Sequence, residues 1–262
     1  PICLLQSKLV TMDLPNLSLL DILIENLKKV GRKSYLHRVV YVFDYHKLNI
    51  DGLEVSLQEV LQNMIGIVSE GSDEPITGLL LLYDKYGVNM IEGSEESIFR
   101  HFQELADSSV LSQCVPRIKI LLSVTHIAKR ILNRWSIFCA QPQTLLEKLD
   151  VSSVEETSRR IKLIVVKLNN LWNYLRLHSV GMSRVIMMEQ LSDRMTTNLP
   201  EFARLEFVLS TPALKNLRDF VETHRTVQQP RLYQELVWPP QKQFIPFKIF
   251  KTKQDPEDTS KS

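Results

Sequence analysis

Few side chains in this sequence combine a binding or reactive group with an ordered setting. Tyr41 lies in RVVYVF and Asn89 in VNMI, a phenol and an amide each set within an apolar run. Groups of this kind are most often core members whose polar atoms are tied to backbone, and they hold a ligand only where a pocket is built around them. His37 and His126 fall near strand ends with no second His or Cys at ligand spacing, so no metal site is expected. Cys114 and Cys139 have no neighbouring base in sequence, and no GxSxG elbow is present, so nucleophilic catalysis finds no machinery. Neither GxxxxGKS nor GxGxxG occurs, which removes the usual phosphate cradles. The expectation is a non-enzymatic protein, with catalytic residues none and metal ligands none.

The composition narrows the class further. With 262 residues, 44% of them hydrophobic, the chain can bury one good core and a second, smaller one. Thirty-two basic side chains against thirty acidic ones leave a net charge of +2, and no basic arm or face stands out, so nucleic acid is not an expected partner. Arg159 and Arg160, like Lys28 and Lys29, read as solvated helix faces. The three cysteines are an odd number without CxxC spacing, which argues against a disulfide framework and fits a reducing, cytoplasmic compartment. The most apolar stretches, Leu79 to Tyr83 and Ile161 to Leu168, fall far short of the roughly 18 residues of a membrane span, so no membrane partner is expected. No signal peptide is visible at Pro1, and a chain that begins with proline is expected to lack its original start.

The elements that must position Tyr41 and Asn89 follow from periodicity. After an arm, Pro1 to Asn16, an amphipathic helix is expected over Leu17 to Val30, stopped by Gly31. Arg38 to Phe43 is the first strand. A helix follows from Asp51 or Gly52 to Val68, with Leu53, Leu57, Val60, Leu61, Met64 and Val68 at three-and-four spacing. Ile76 to Gly93, ITGLLLLYDKYGVNMIEG, reads as a hairpin: Leu79 to Tyr83 out, Asp84 to Gly87 as the turn with Gly87 taking a positive φ, and Val88 to Ile91 back. Ser94 then caps a helix, Glu95 to Ala106, whose Ile98, Phe99, Phe102 and Leu105 share a face. Strands are expected at Arg117 to Ser123, with Ile118, Ile120 and Leu122 facing one way, and at Arg130 to Phe138. Strand, helix, two strands, helix and two strands make an α+β, ferredoxin-like sandwich with the helices on one sheet face. RNA-recognition domains share this order but need an aromatic third strand, which Val88 to Ile91 does not supply. Acylphosphatases need an arginine in a glycine-rich loop after the first strand, and Tyr45 to Asp51 contains neither.

Beyond residue 140 the pattern turns helical. Ser153 to Glu156 is a capping box ahead of a stripe from Ile161 through Trp172 to Leu175. Arg184 to Met195 is expected to be helical, Leu205 to Leu209 to add a strand, and Thr211 to cap a helix carrying Leu214, Leu217, Phe220 and Val221. From Gln228 the chain is rich in proline and large apolar groups, which reads as an extended arm ending in a polar tail, Lys251 to Ser262. Trp238, Phe244 and Phe247 in that arm either pack on the chain's own core or anchor a partner protein. The organisation expected is thus 1–33 arm and helix, 34–140 sandwich, 141–227 helical extension, and 228–262 arm and tail.

Three stretches carry a family resemblance. LHRVVYVFD at Leu36 to Asp44, ITGLLLLYDKYGVNMIEG at Ile76 to Gly93, and RIKILLSVTHIAKRILNRW at Arg117 to Trp135 resemble the first strand, central hairpin and last two strands of BLUF domains, the flavin-binding blue-light sensors. The resemblance implies a BLUF-type sandwich over Tyr35 to Cys139. It also implies a flavin, FAD or FMN, between the two helices, read by a first-strand tyrosine, here Tyr41, and a third-strand glutamine, here replaced by Asn89. The family's tryptophan is kept as Trp135. The serine expected after the tyrosine is Phe43, the methionine after the tryptophan is Ile137, the asparagine before the TG pair has no counterpart, and Asn63 lies too early to replace it. Asn89 is one methylene shorter than glutamine, and hydrogen bonds weaken steeply with distance. These departures imply that Tyr41, Asn89 and Trp135 are vestigial flavin positions and that no cofactor is held.

A degenerate BLUF-like domain followed by helices is also similar to a vertebrate testis-expressed family of the sperm flagellum. That implies a structural or adaptor subunit of a large ciliary or flagellar assembly on the axoneme, with other proteins as partners. The alternative is a flavin-binding sensor that signals through the Ser153 to Leu175 helix.

Overall fold

The computed structural model describes residues 19–50, 53–70, 72, 74–141, 154–178 and 196–225. The described residues up to Thr223 form one compact unit. Its centre is a five-stranded sheet of β1 (Leu36–Asp44), β4 (Thr77–Leu82), β5 (Tyr86–Ser94), β6 (Ile118–Ile127) and β7 (Trp135–Cys139), in the order β6-β1-β5-β4-β7. β1 pairs antiparallel with both β5 and β6, β5 antiparallel with β4, and β7 parallel with β4. The first four of these strands therefore have the split βαβ order of a ferredoxin-like fold, and β7 adds a fifth beside β4. Two short strands, β2 (Leu48–Ile50) and β3 (Leu53–Val55), pair separately.

Both faces of the sheet are covered. One packs under α2 (Leu57–Ser69), α3 (Glu95–Asp107), the short α4 (Ser109–Cys114) and α7 (Leu217–Arg225), which bury Leu61, Ile98, Phe102, Leu111 and Leu217 against Tyr41, Phe43, Leu80 and Ile91. The other packs under α5 (Val154–His178) and α6 (Phe202–Ser210), which bury Ile164, Leu168, Trp172 and Leu205 against Val40, Val42, Leu79, Leu81 and Met90. A strand buried on both sides has no reason to alternate, which is why Leu79 to Leu82 is continuously apolar and TGLLLL is buried at every position. Full burial of one such side chain stabilises by about 1.5–3 kcal/mol, an upper figure because unfolded chains are already partly collapsed.

Several expected boundaries move for identifiable reasons. α2 starts at Leu57 instead of Asp51 or Gly52, because residues 48–50 and 53–55 pair as β2 and β3 and Ser56 accepts the Glu59 amide as N-cap. Ser94 caps α3 as expected, accepting from the Ser97 amide at 3.1 Å. Gly87 is not a turn glycine: it lies within β5 opposite Phe43, and a Cβ there would come within 2.1 Å of the Phe43 ring. β6 carries a bulge between its partners to Val40 and Tyr41, so Leu122 joins Leu121 on the α5 side instead of sharing a face with Ile118 and Ile120. Leu205 to Leu209 is helical, not a strand. A five-residue stretch with four apolar side chains fits either state, and Phe202, Leu205 and Leu209 at three-and-four spacing decide for the helix. α7 begins at Leu217, where the Asn216 carboxamide accepts the Arg218 amide, while Thr211 accepts only the Ala213 amide in the preceding turn. Arg184 to Met195 and the Gln228 to Phe250 arm lie outside the described residues.

Charged ties hold α6 to the sheet. The Arg117 guanidinium bonds the Asp44 carboxylate at 2.8 Å and grips Glu206 with two bonds of 2.9 Å, while Tyr86 donates to the same Glu206 at 2.9 Å. The Arg117 bonds hold the Glu206 carboxyl below the usual carboxylate range.

Gly78 is the point where the sheet admits no side chain. Its φ is +154°, and a Cβ would meet the Met90 carbonyl oxygen at 1.9 Å. Gly78→Ala is expected to lower the unfolding free energy by at least about 2 kcal/mol, from backbone strain and displacement of β5. Urea denaturation followed by circular dichroism checks this, against Gly66→Ala on α2, where no atom lies within 4 Å of the added Cβ.

Candidate functional site

β1 and β5 are in register with Tyr41 opposite Asn89, and β4, between β5 and β7, pairs Gly78 with Trp135. The three expected vestigial positions therefore converge. Trp135 Nε1 donates to Asn89 Oδ1 at 3.2 Å, and Asn89 Nδ2 donates to the Tyr41 hydroxyl at 2.7 Å. The shorter amide of Asn89 reaches both of these neighbours.

A fourth member, His101, completes the chain. Its Nε2 lies 2.9 Å from the Tyr41 hydroxyl, and its ring packs 6.3 Å from Phe102. Tyr41 is 1% exposed and Asn89 and His101 are fully buried, so the chain is sealed at this end. Only Trp135 is partly exposed; with Gln62, Ile65, Ser69, Thr77 and Ile137 it borders a cavity of about 400 Å³ between α2 and the outer edge of β7. Phe43 and Ile137, which stand where the resemblance has a serine and a methionine, are core residues under α2. Asn63 is exposed on α2.

Burial sets the electrostatics. It pushes the Tyr41 phenol well above the ordinary tyrosine value, a shift that the Asn89 hydrogen bond opposes in part. It pushes His101 down to about 3, so the imidazole is neutral, and among the described residues no side chain or backbone group pairs with its Nδ1. The arrangement offers hydrogen bonds between neutral groups and no exposed nucleophile. As the side chains stand it does not fit an isoalloxazine ring, because the hydroxyl and amide that would read one are bonded to each other and to His101 in a sealed core.

Sequence reasoning missed His101. The signal was in the spacing, since position 101 shares the inner face of α3 with Ile98, Phe102 and Leu105. It also missed what the most telling motifs do. Glu92 of the EG pair is fully buried; its carboxylate takes Arg38 Nε at 2.7 Å and the Ile131 amide at 2.9 Å. Arg130, the arginine of IAKR, donates to the Glu92 carbonyl at 2.8 Å, to Thr77 of the TG pair at 2.9 Å and to Glu74 at 2.8 Å. These bonds, not a ladder, hold Arg130 and Ile131, and β7 begins at Trp135 instead of Arg130.

The other candidates stay apart. His37 and His126 lie with ring centroids 5.5 Å apart, beside a bulge where His126 takes φ 56°. Among the described residues no group of three or more His, Cys, Asp or Glu could hold a metal ion, and no helix is long and apolar enough to cross a membrane. Trp238, Phe244 and Phe247 lie outside the described residues.

A family model described as testis-expressed protein 47 matches residues 35–226, well over half of the chain. The chain belongs to the testis-expressed protein 47 family. Its match covers the sheet and the helices on both faces, so the extension belongs with the sandwich. Solved structures similar to the chain include BlsA in a photo-activated state, at 18% identity over 60% of this chain and 94% of that one with a TM-score of 0.33. They also include BlrB, a BLUF protein in its dark state, at 19% identity over 51% and 97% with a TM-score of 0.30. The BLUF domain of BlrP1 matches at 18% identity over 41% and 65%, with a TM-score of 0.29. The chain spans less than two thirds of that BlrP1 chain and 40% of a bacterial light-regulated adenylyl cyclase. No curated protein matches the chain significantly.

The neutral chain gives two linked outcomes. Tyr41→Phe leaves the Asn89 amide and His101 Nε2 unpaired in the core and is expected to destabilise the protein by about 2 kcal/mol, read from the urea midpoint at unchanged slope. For His101, the unfolded chain binds a proton below pH 6.5 that the folded chain refuses until about pH 3, so wild-type stability should fall as pH drops through that window. Replacing His101 by Leu should flatten the upper part of that fall, leaving the share from His37, whose pKa burial also lowers, and below the usual carboxylate range that of Glu206, which Arg117 holds down.

Proposed function

We propose that this chain is a non-enzymatic structural or adaptor subunit of a ciliary or sperm-flagellar axonemal assembly, built on a BLUF-like domain that no longer holds flavin. The observation that carries the second half is the hydrogen-bonded chain of Trp135, Asn89, Tyr41 and His101, sealed from Asn89 inward, in which every reader of a bound ring is occupied by a protein partner. Support for the first half comes from the family, whose description names expression in testis, and from the shape of the core. Both sheet faces are spent on the chain's own helices, so partners must be met through outer helix surfaces, sheet edges or the arm. The axoneme and its microtubules are the assembly that the resemblance favours, and Trp238, Phe244 and Phe247 are the anchors we assign to it.

A second reading, a flavin sensor signalling through α5, has one observation in its favour: Tyr41, Asn89 and Trp135 remain hydrogen-bonded in series. One spectrum separates the two. Protein purified from cells supplied with riboflavin should show no visible absorbance near 450 nm; a flavin band at stoichiometric ratio would establish the sensor. Deleting residues 228–250 should leave thermal unfolding unchanged and abolish co-sedimentation with detergent-extracted sperm axonemes. Retained co-sedimentation would remove the arm as anchor.

A further inference from the structure

We infer that His101 is a built-in ligand: its imidazole occupies the place where the Tyr41, Asn89 and Trp135 series would otherwise take a flat heteroaromatic ring from solution. The inference rests on the reading that the domain holds no flavin, and it names what excludes one.

Hydrogen-bond direction carries the argument. An indole nitrogen only donates, so Trp135 must give its proton to Asn89 Oδ1. That fixes the carboxamide with Nδ2 towards Tyr41, where it donates to the phenol oxygen. The single proton of the Tyr41 hydroxyl is then free to go in one direction, to His101 Nε2 at 2.9 Å. Nε2 must accept, and the ring proton of the neutral imidazole must sit on Nδ1. The series therefore reads His101 as an aromatic ring that presents one acceptor nitrogen in the ring plane.

Packing argues the same way. A position at the inner spacing of α3 is one that leucine fills, at the cost of the Tyr41 hydroxyl's partner. Here it carries an imidazole whose Nδ1 proton is buried with no partner, a feature that weakens a core. Tyr41 and Phe102 flank the ring, with centroids 5.9 and 6.3 Å from it and 6.1 Å from each other in an edge-to-face pair. Aromatic walls and one hydroxyl aimed at a ring nitrogen form a binding site for a planar heterocycle, and the chain fills it with its own side chain. Exclusion of a free ring follows from this occupancy and not from the shorter amide of Asn89, which makes both of its contacts.

The test is to remove the ring and offer it back. In His101→Ala the truncated site leaves a buried cavity. Imidazole and 1-methylimidazole, both of which present an acceptor nitrogen, should raise the melting temperature saturably, by about 3–5 °C at tenfold excess over Kd. Pyrrole, a ring of similar size that only donates, should not. Wild type should not respond to any of them, and the imidazole effect should vanish in the Tyr41→Phe, His101→Ala double variant. If pyrrole and imidazole stabilise equally, or neither acts on a folded variant, the inference is overturned. Should the variant fail to fold, nitrogen NMR of the wild-type histidines decides: a buried Nδ1–H tautomer with Nε2 accepting supports the inference, and an Nε2–H tautomer overturns it. A flavin-free wild type without rescue would sink this inference alone, whereas flavin bound to wild type would sink the proposed function with it.

Discussion

The sheet depends on one buried carboxylate. Glu92 has no exposure, and a lone carboxylate in such a place would be prohibitively costly, so its donors are obligatory. Arg38 reaches it across the β1–β5 pair, at the register position directly opposite. The Ile131 amide supplies the other donor, and Arg130 bonds the Glu92 carbonyl and the Thr77 hydroxyl, Thr77 being the cross-strand partner of Glu92 on β4. One side chain and its backbone thus fix the relative placement of β1, β5 and β4 and the path of the chain into β7. If that path slips by one residue, Trp135 no longer faces Asn89, and the inner polar series loses its first member.

The two networks differ in kind. The Glu92 cluster is charged, lies at the rim of the sheet, and is closed among protein groups on three strands and a connection. The series from Trp135 to His101 is neutral, lies under the helices, and ends on His101 Nδ1, which has no partner among the described residues. A closed ionic cluster is self-sufficient: removing any member strands a charge, and nothing outside the chain is needed to complete it. A neutral series with one unmatched end has the form of a site built around a ring, because its members point in succession at a single place. The motifs TG, EG and IAKR belong to the closed cluster: Arg130 bonds Thr77 and the Glu92 carbonyl, and the Ile131 amide bonds the Glu92 carboxylate.

How far the fold was legible follows from what sets each element. β1, β4, β5, α2 and α3 declared themselves because local pattern and tertiary burial agree there, and Ser94 acts as the cap that its position suggests. The failures share one cause, which is that a distant group overrode the local signal. Residues 130–134 have strand-like sequence, but Arg130 and Ile131 are bound to Glu92 nearly forty residues earlier. Leu205 to Leu209 is strand-like in composition and becomes helical because the face it covers belongs to a sheet already complete. Gly87 looks like a turn residue and is instead a gap for the Phe43 ring. At the site, Tyr41, Asn89 and Trp135 were legible through the resemblance. His101 was not, because no resemblance points to a residue whose role is to replace what the family binds.

The helical extension changes what the sandwich can do. With the second sheet face bare, a motion of β5 or β7 could be passed to whatever docks there. In this chain the face is packed by α5 and α6, and α6 is fastened by Arg117, which bridges Asp44 at the end of β1 to Glu206. Exposed ion pairs of this kind contribute little individually, but the Arg117 grip is two-pronged and is backed by Tyr86 on the same carboxylate. It ties the extension to the strand end beside which Tyr41 sits, three residues from Asp44. A sensor needs a joint at that place, free to take two positions; here the joint is pinned by charge on one side and sealed by His101 on the other. In the structural role we propose, a domain so fastened would meet its partners through its outer surfaces, since both faces of its sheet are packed by its own helices.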